Sequence, residues 1–170
     1  MTIERNQTYQ KRKGRWRVQL GTLMLALLPL SAQAIAECSV AASSTVFGGY
    51  SFSNTAPTNV AGNVQVSCSL IGLLSLLVSY DISLSTGASS SYAPRKMANG
   101  ANWLKYNLYK DASRSAIWGN STSGTSIVSD GYLVGLLTTV RNYAVYGQIP
   151  AGQNVPAGVY SDTIVVTVNY

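Results

Sequence analysis

Apolar and polar residues alternate along this chain in a series of short runs. From Gly158 to Tyr170, G-V-Y-S-D-T-I-V-V-T-V-N-Y places Ile164, Val166, Val168 and Tyr170 at every second position, which predicts a strand with one buried face. Shorter runs of the same kind cover Val60–Ser67, Tyr80–Ser85, Trp103–Tyr109 and Asn142–Ile149, and each reads as a strand. Between them lie T-G-A-S-S-S, A-N-G-A-N, W-G-N-S-T-S-G-T and P-A-G-Q-N-V-P-A-G, whose Gly, Pro, Asn and Ser content marks loops. The turn spacing suits an all-β sandwich, and no helical stretch, heptad or internal repeat competes with that reading. Nothing after Tyr170 supplies a neighbour for the last strand, so its edge is expected to be open to another chain.

Leu70–Val78, L-I-G-L-L-S-L-L-V, breaks the alternation. Two readings stand side by side. In one, Leu70, Ile71, Leu73, Leu74, Leu76 and Leu77 belong to a core strand or hairpin covered on both faces. In the other they form an exposed apolar contact segment, since a large exposed apolar patch marks an interaction site.

The N-terminal region explains the basic composition. Lys11, Arg12, Lys13, Arg15 and Arg17 precede an apolar run from Val18 to Leu30, followed by Ala32-Gln33-Ala34 and Ala34-Ile35-Ala36. That layout predicts a cleaved signal peptide over residues 1–36 and a mature domain over 37–170. An apolar core of about 13 residues is short of the roughly 20 a spanning helix needs, so no membrane anchor is expected after cleavage. A lipoprotein reading at Cys38 meets Glu37 where a small residue would stand. Of the 12 Lys and Arg, six, including Arg5, lie in the leader; the remaining six face Glu37, Asp81, Asp111, Asp130 and Asp162, so 6 − 5 leaves +1 in place of the whole chain's +6. No basic surface for nucleic acid survives that subtraction.

Cys38 and Cys68 are the chain's 2 cysteines, and in an exported domain a single disulfide between them is the economical expectation. Catalytic chemistry is thin: with His 0 in the composition, metal triads and Ser-His-Asp relays lack their usual member, and no catalytic, cofactor-binding or metal-ligating set is expected. Asp162 and Asp111 read as turn organisers and Asp130, before Gly131, as a loop residue. Asn120-Ser121-Thr122 matches a glycosylation sequon that matters only in a host able to use it. Strand packing is the default role of the tyrosines; a carbohydrate platform requires several on one exposed face.

Five blocks then carry a resemblance. Y-D-I-S-L-S-T-G (Tyr80–Gly87), S-Y-A-P-R-K-M (Ser91–Met97), Y-N-L-Y-K-D-A-S (Tyr106–Ser113), I-W-G-N (Ile117–Asn120) and Val145–Tyr170 are similar, in order, to the spore coat protein U domain family, which includes Csu-type subunits of archaic chaperone-usher pili. The resemblance implies an incomplete immunoglobulin-like β-sandwich lacking its last strand and completed by donor-strand complementation. It implies a periplasmic pilus chaperone, an outer-membrane usher and neighbouring fibre or coat subunits as partners, and export through the periplasm to the cell surface. Ile164, Val166, Val168 and Tyr170 would border the groove for the donor. The implied role is a structural subunit of a surface fibre or coat serving attachment or biofilm formation; the alternative is a terminal adhesin binding a surface or glycan through apolar loops. Cleavage after Ala36 leaves only Glu37 before Cys38, so the mature chain is expected to accept a strand without donating one.

Overall fold

The computed structural model of the protein describes residues 2–5, 35–71, 75–135 and 137–170. Among them lie nine strands, five of which contain the alternating runs: β1 Thr2–Arg5, β2 Ile35–Ala42, β3 Thr58–Ile71, β4 Leu76–Leu84, β5 Arg95–Asn99, β6 Asn102–Tyr109, β7 Val128–Val134, β8 Thr139–Ile149 and β9 Thr163–Asn169. A single 3-10 turn, Gly87–Ser89, interrupts the β structure. One sheet has the order β1-β9-β4-β7 and the other β2-β3-β8-β6-β5.

Period-two patterning decides which side of each strand faces the core. On β3, Val64, Val66 and Cys68 are buried while Asn63, Gln65 and Ser67 stand on the opposite face. On β4, Val78, Tyr80, Ile82 and Leu84 point inward, and β9 contributes Ile164 and Val166. β2 and β3 pair antiparallel with Cys38 directly opposite Cys68, and the two are joined by a disulfide. Trp118 leaves the long 110–127 connection to fill the interior: its indole Nε1 donates to the Ile82 carbonyl at 2.9 Å. The tyrosine packing expected from the sequence is seen in edge-on pairs of Tyr80 with Tyr132 and Tyr143.

The last strand begins at Thr163, directly after the turn expected at Asp162; Ser161 first pairs with Ala98 at the edge of β5 before the chain crosses to the other sheet. Asp130 sits within β7, paired with Tyr80, rather than in a loop. β5 and β7 were not legible: R-K-M-A-N holds one large apolar residue, and the Asp-Gly inside V-S-D-G-Y-L-V imitates a turn.

Candidate strand-acceptor groove

β9 is held on one side by β4, with Asp81 opposite Asn169 and Leu84 opposite Val166. Its other side carries β1 in parallel, Thr2 opposite Thr163 through Arg5 opposite Val166. β1 also approaches β2, the edge of the facing sheet. The edge expected to be empty is thus occupied over part of its length by four residues from the region read as a leader. An extended segment lying there receives main-chain pairing from β9, the physical basis of strand addition.

A cavity of about 690 Å³ lies against the five-stranded sheet. Its floor is Met97, Leu104 and Ile149 of the five-stranded sheet. One wall is the 45–52 segment and the other the 153–160 segment. Phe47 reaches the interior edge-on to Tyr106 at 5.9 Å because Gly147 leaves room: a Cβ there would stand 2.8 Å from the Phe47 ring. Thr45 lines the same cavity with its hydroxyl buried and, among the described residues, without a partner. Gln153 anchors the opposite wall like a short strand, accepting from the Lys105 amide at 2.8 Å and donating to its carbonyl at 2.9 Å.

The start of β9 is fixed by charge. Asp162, buried, accepts the Thr163 and Ala88 amides, each at 2.8 Å, and the Tyr106 hydroxyl at 2.6 Å. Burial, then this hydrogen bond to a carboxylate, pushes the Tyr106 hydroxyl well above the usual phenol range. Gly87, at φ +69°, is required beside it, since a Cβ would collide with the Asp162 carboxylate. Next to this cluster lies Arg95, fully buried, donating to the Ser85 carbonyl at 2.9 Å, Asn107 Oδ1 at 2.9 Å and the Trp118 carbonyl at 2.6 Å, with Tyr92 stacked 5.0 Å away. Neither Arg95 nor Tyr106 stands out in the sequence as a structural centre. A lone arginine in a run otherwise free of charge except Lys96 was the available signal.

Of the residues assigned to the groove border, Ile164 and Val166 face inward and are buried, and Val168 is partly buried. Tyr170 lies past the end of β9 and is 58% exposed, because no ladder partner holds its position. In the apolar segment, Leu70 packs partly against the core, Ile71 ends β3, and Leu73 and Leu74 lie outside the described residues. The core reading is corrected for Leu76 and Leu77, which are exposed at the start of β4. Leu77 stands opposite Leu133 of β7, 67% and 69% exposed, with Leu137 of the next turn 83% exposed. Among the described residues, no group of three or more His, Cys, Asp or Glu converges on a metal position.

The comparisons follow this geometry. The Spore Coat Protein U domain matches residues 24–167, and the chain belongs to that family. It is 37% identical over 111 residues to Protein U of Myxococcus xanthus, covering 64% of this chain and 59% of that protein's length. Among solved structures it is similar to the CsuC-CsuE chaperone-tip adhesion subunit pre-assembly complex of the archaic chaperone-usher Csu pili of Acinetobacter baumannii. There the TM-score is 0.52 at 24% identity, over 80% of this chain and 40% of that one, a likeness of fold.

Proposed function

We propose that the protein is a structural subunit of an exported chaperone-usher fibre or coat, assembled by strand addition along β9 and serving attachment or biofilm formation. The observation that carries this reading is the β9 edge itself, which takes up an extended segment in parallel register beside the buried Ile164 and Val166. Removal of residues 1–36 would take away β1 and the first two residues of β2, leaving the edge for a periplasmic chaperone and then for a neighbouring subunit. The usher would receive the chaperone-bound subunit. A donor along β9 would gain roughly 1.5–3 kcal/mol for each large apolar side chain it buries. That is a large share of a domain stability of about 5–15 kcal/mol.

The test is denaturant unfolding of residues 37–170, disulfide intact, with and without an alternating donor segment fused after Tyr170 through a flexible linker. A higher midpoint with the donor, and slowed amide exchange along β9, are expected. A stable monomer indifferent to the donor would overturn the proposal.

A second reading, a terminal adhesin, draws on the exposed Leu77, Leu133 and Leu137. Leu77→Ser with Leu133→Ser should then lower adsorption to apolar surfaces while changing stability by less than about 0.5 kcal/mol per site. Undiminished adsorption would exclude it.

A further inference from the structure

The outer face of the five-stranded sheet carries a row of carboxamides on its two neighbouring strands β3 and β8. Its central strands, β3 and β8, turn Val64, Val66, Val145 and Ile149 into the core. The alternate positions therefore face outward: Asn59, Asn63 and Gln65 on β3, with Asn142, Tyr146 and Gln148 on β8. The register sets Asn59 opposite Gln148 and Gln65 opposite Asn142, with Asn63 opposite Ala144 and Ala61 opposite Tyr146. The carboxamides are locked to one another. Asn142 Oδ1 accepts from Asn63 Nδ2 at 2.9 Å and from Gln65 Nε2 at 3.1 Å, and Asn59 Oδ1 accepts from Gln148 Nε2 at 3.0 Å.

Each lock uses one end of an amide and turns the other toward solvent. Asn142 and Asn59 keep an NH₂ donor; Asn63, Gln65 and Gln148 keep a carbonyl acceptor. The result is an array of both kinds of group, with the small Ala61 and Ala144 between them. Tyr146 stands in register opposite Tyr109 of β6, and Arg114 lies 5.9 Å from the Tyr146 ring centre. No outward residue of β3 or β8 is charged.

We propose that this face is a binding platform for a neutral, extended polysaccharide. Charge decides among partners. A nucleic acid or anionic lipid needs a row of cations, and the outward positions of β3 and β8 carry none. A protein interface of this size has an apolar or aromatic centre and few free amides, whereas here amides hold the centre. A polyol offers what remains: hydroxyls that both donate and accept, and apolar ring faces that stack on tyrosine. The amides are held by each other before any ligand arrives, so little side-chain entropy is lost on binding. At about 3.3 Å per residue, Asn59 to Gln65 extends roughly 20 Å, enough for several sugar units in a row.

The platform stands apart from the β9 edge and does not rest on strand addition. Its test is titration of the full-length chain with cellohexaose, with sedimentation onto microcrystalline cellulose as a second readout. Saturable binding insensitive to salt is expected. Asn142→Ala and Tyr146→Ala should each weaken it by about tenfold or more. Asn142→Asp, nearly isosteric and so least disturbing to the sheet, should weaken it likewise, with near-UV circular dichroism unchanged. Leu77→Ser should leave it intact. No binding by the unaltered chain, equal binding by the Asn142 and Tyr146 variants, or a loss that follows Leu77→Ser would overturn the proposal. So would sedimentation showing that Asn142→Ala abolishes self-association instead, which would make the face a contact between copies of this chain.

Discussion

Replacing Arg95 by methionine tests whether a buried charge holds this sandwich together. Methionine keeps the length of the side chain and removes its donors. Three acceptors then lose a partner: the Ser85 carbonyl, the Trp118 carbonyl and Asn107 Oδ1. Asn107 suffers least, since its Oδ1 still accepts the Leu108 amide at 3.0 Å. The two carbonyls are left unpaired at about 1–3 kcal/mol each, and the Tyr92 stacking contact goes with the guanidinium. Against this stands relief from burying a cation, which alone costs several kcal/mol. Burial pulls the Arg95 pKa down for that reason, opposed by Tyr106, Tyr92 and Asp162. The group remains charged, because a guanidinium does not lose its proton in proteins.

Breaking such an arrangement from one side typically costs about 3–5 kcal/mol, and we expect Arg95→Met to fall there. Arg95→Lys keeps the charge but cannot address three acceptors in one plane, so it should lose about 2 kcal/mol. Urea unfolding followed by the fluorescence of the buried Trp118 reads the difference as a midpoint lowered by about 2 M for methionine and about half that for lysine. A loss below about 1 kcal/mol for methionine would mean that desolvation of the cation cancels its hydrogen bonds. The reasoning would then fail. Should Arg95→Met not fold, Arg95→Lys still decides the question.

Stability should also fall at both ends of the pH scale. The hydrogen bond from Tyr143 lowers the pKa of Asp130, and Ser113 and the Ser115 and Ala116 amides hold Asp111 lower still. A depressed carboxylate contributes above its unfolded value of about 3.9, so this part is lost as pH falls below about 4. Tyr106 and Tyr143 are raised, first by burial and then by hydrogen bonds to carboxylates, and burial lifts Tyr132 to about 12. A raised phenol contributes below its unfolded pKa of about 10 and loses that contribution as pH climbs above it. Melting temperature followed from pH 2 to 12 should be level from about 5 to 9 and drop on both sides; a level alkaline limb would contradict the buried tyrosine clusters. Replacing both Cys38 and Cys68 by alanine opens a loop of 30 residues and should lower unfolding free energy by about 3–4 kcal/mol, measured by the same urea titration.

What could be read from the residues alone follows burial. β3, β4, β6, β8 and most of β9 alternate because one face of each meets the core, and the cysteine pair follows from their number and compartment. β5 escaped because its inward residues are Arg95 and Met97, and a charged residue at a core position reads as surface. β7 escaped because Asp130 and Gly131 look like a turn, whereas Asp130 accepts the Tyr143 hydroxyl at 2.6 Å and so sits comfortably inside a strand. Leu76 and Leu77 misled in the other direction: two adjacent leucines suggest a core, but they precede the point where β4 enters the sandwich. The amide face was invisible, since Asn and Gln at alternate positions look like ordinary solvent-facing residues until register brings them together.

Two kinds of interaction are separated in space along β9. Its beginning is anchored by groups that belong to this chain alone: Asp162 with the Thr163 and Ala88 amides and Tyr106, and Ser85, which accepts the Val165 amide on its hydroxyl at 2.9 Å and donates its own amide to the Val165 carbonyl at 3.0 Å. These bonds are short, buried or half-buried, and indifferent to what lies on the far side of the strand. The far side offers the reverse, main-chain groups for pairing, taken up by β1 from Thr163 to Val166. A strand laid there gains energy in proportion to the apolar area it covers, so one segment can replace another without disturbing the anchor. Were strand addition to proceed as proposed, these polar anchors, with the buried Ile164 and Val166, would hold β9 in place while its occupant changed.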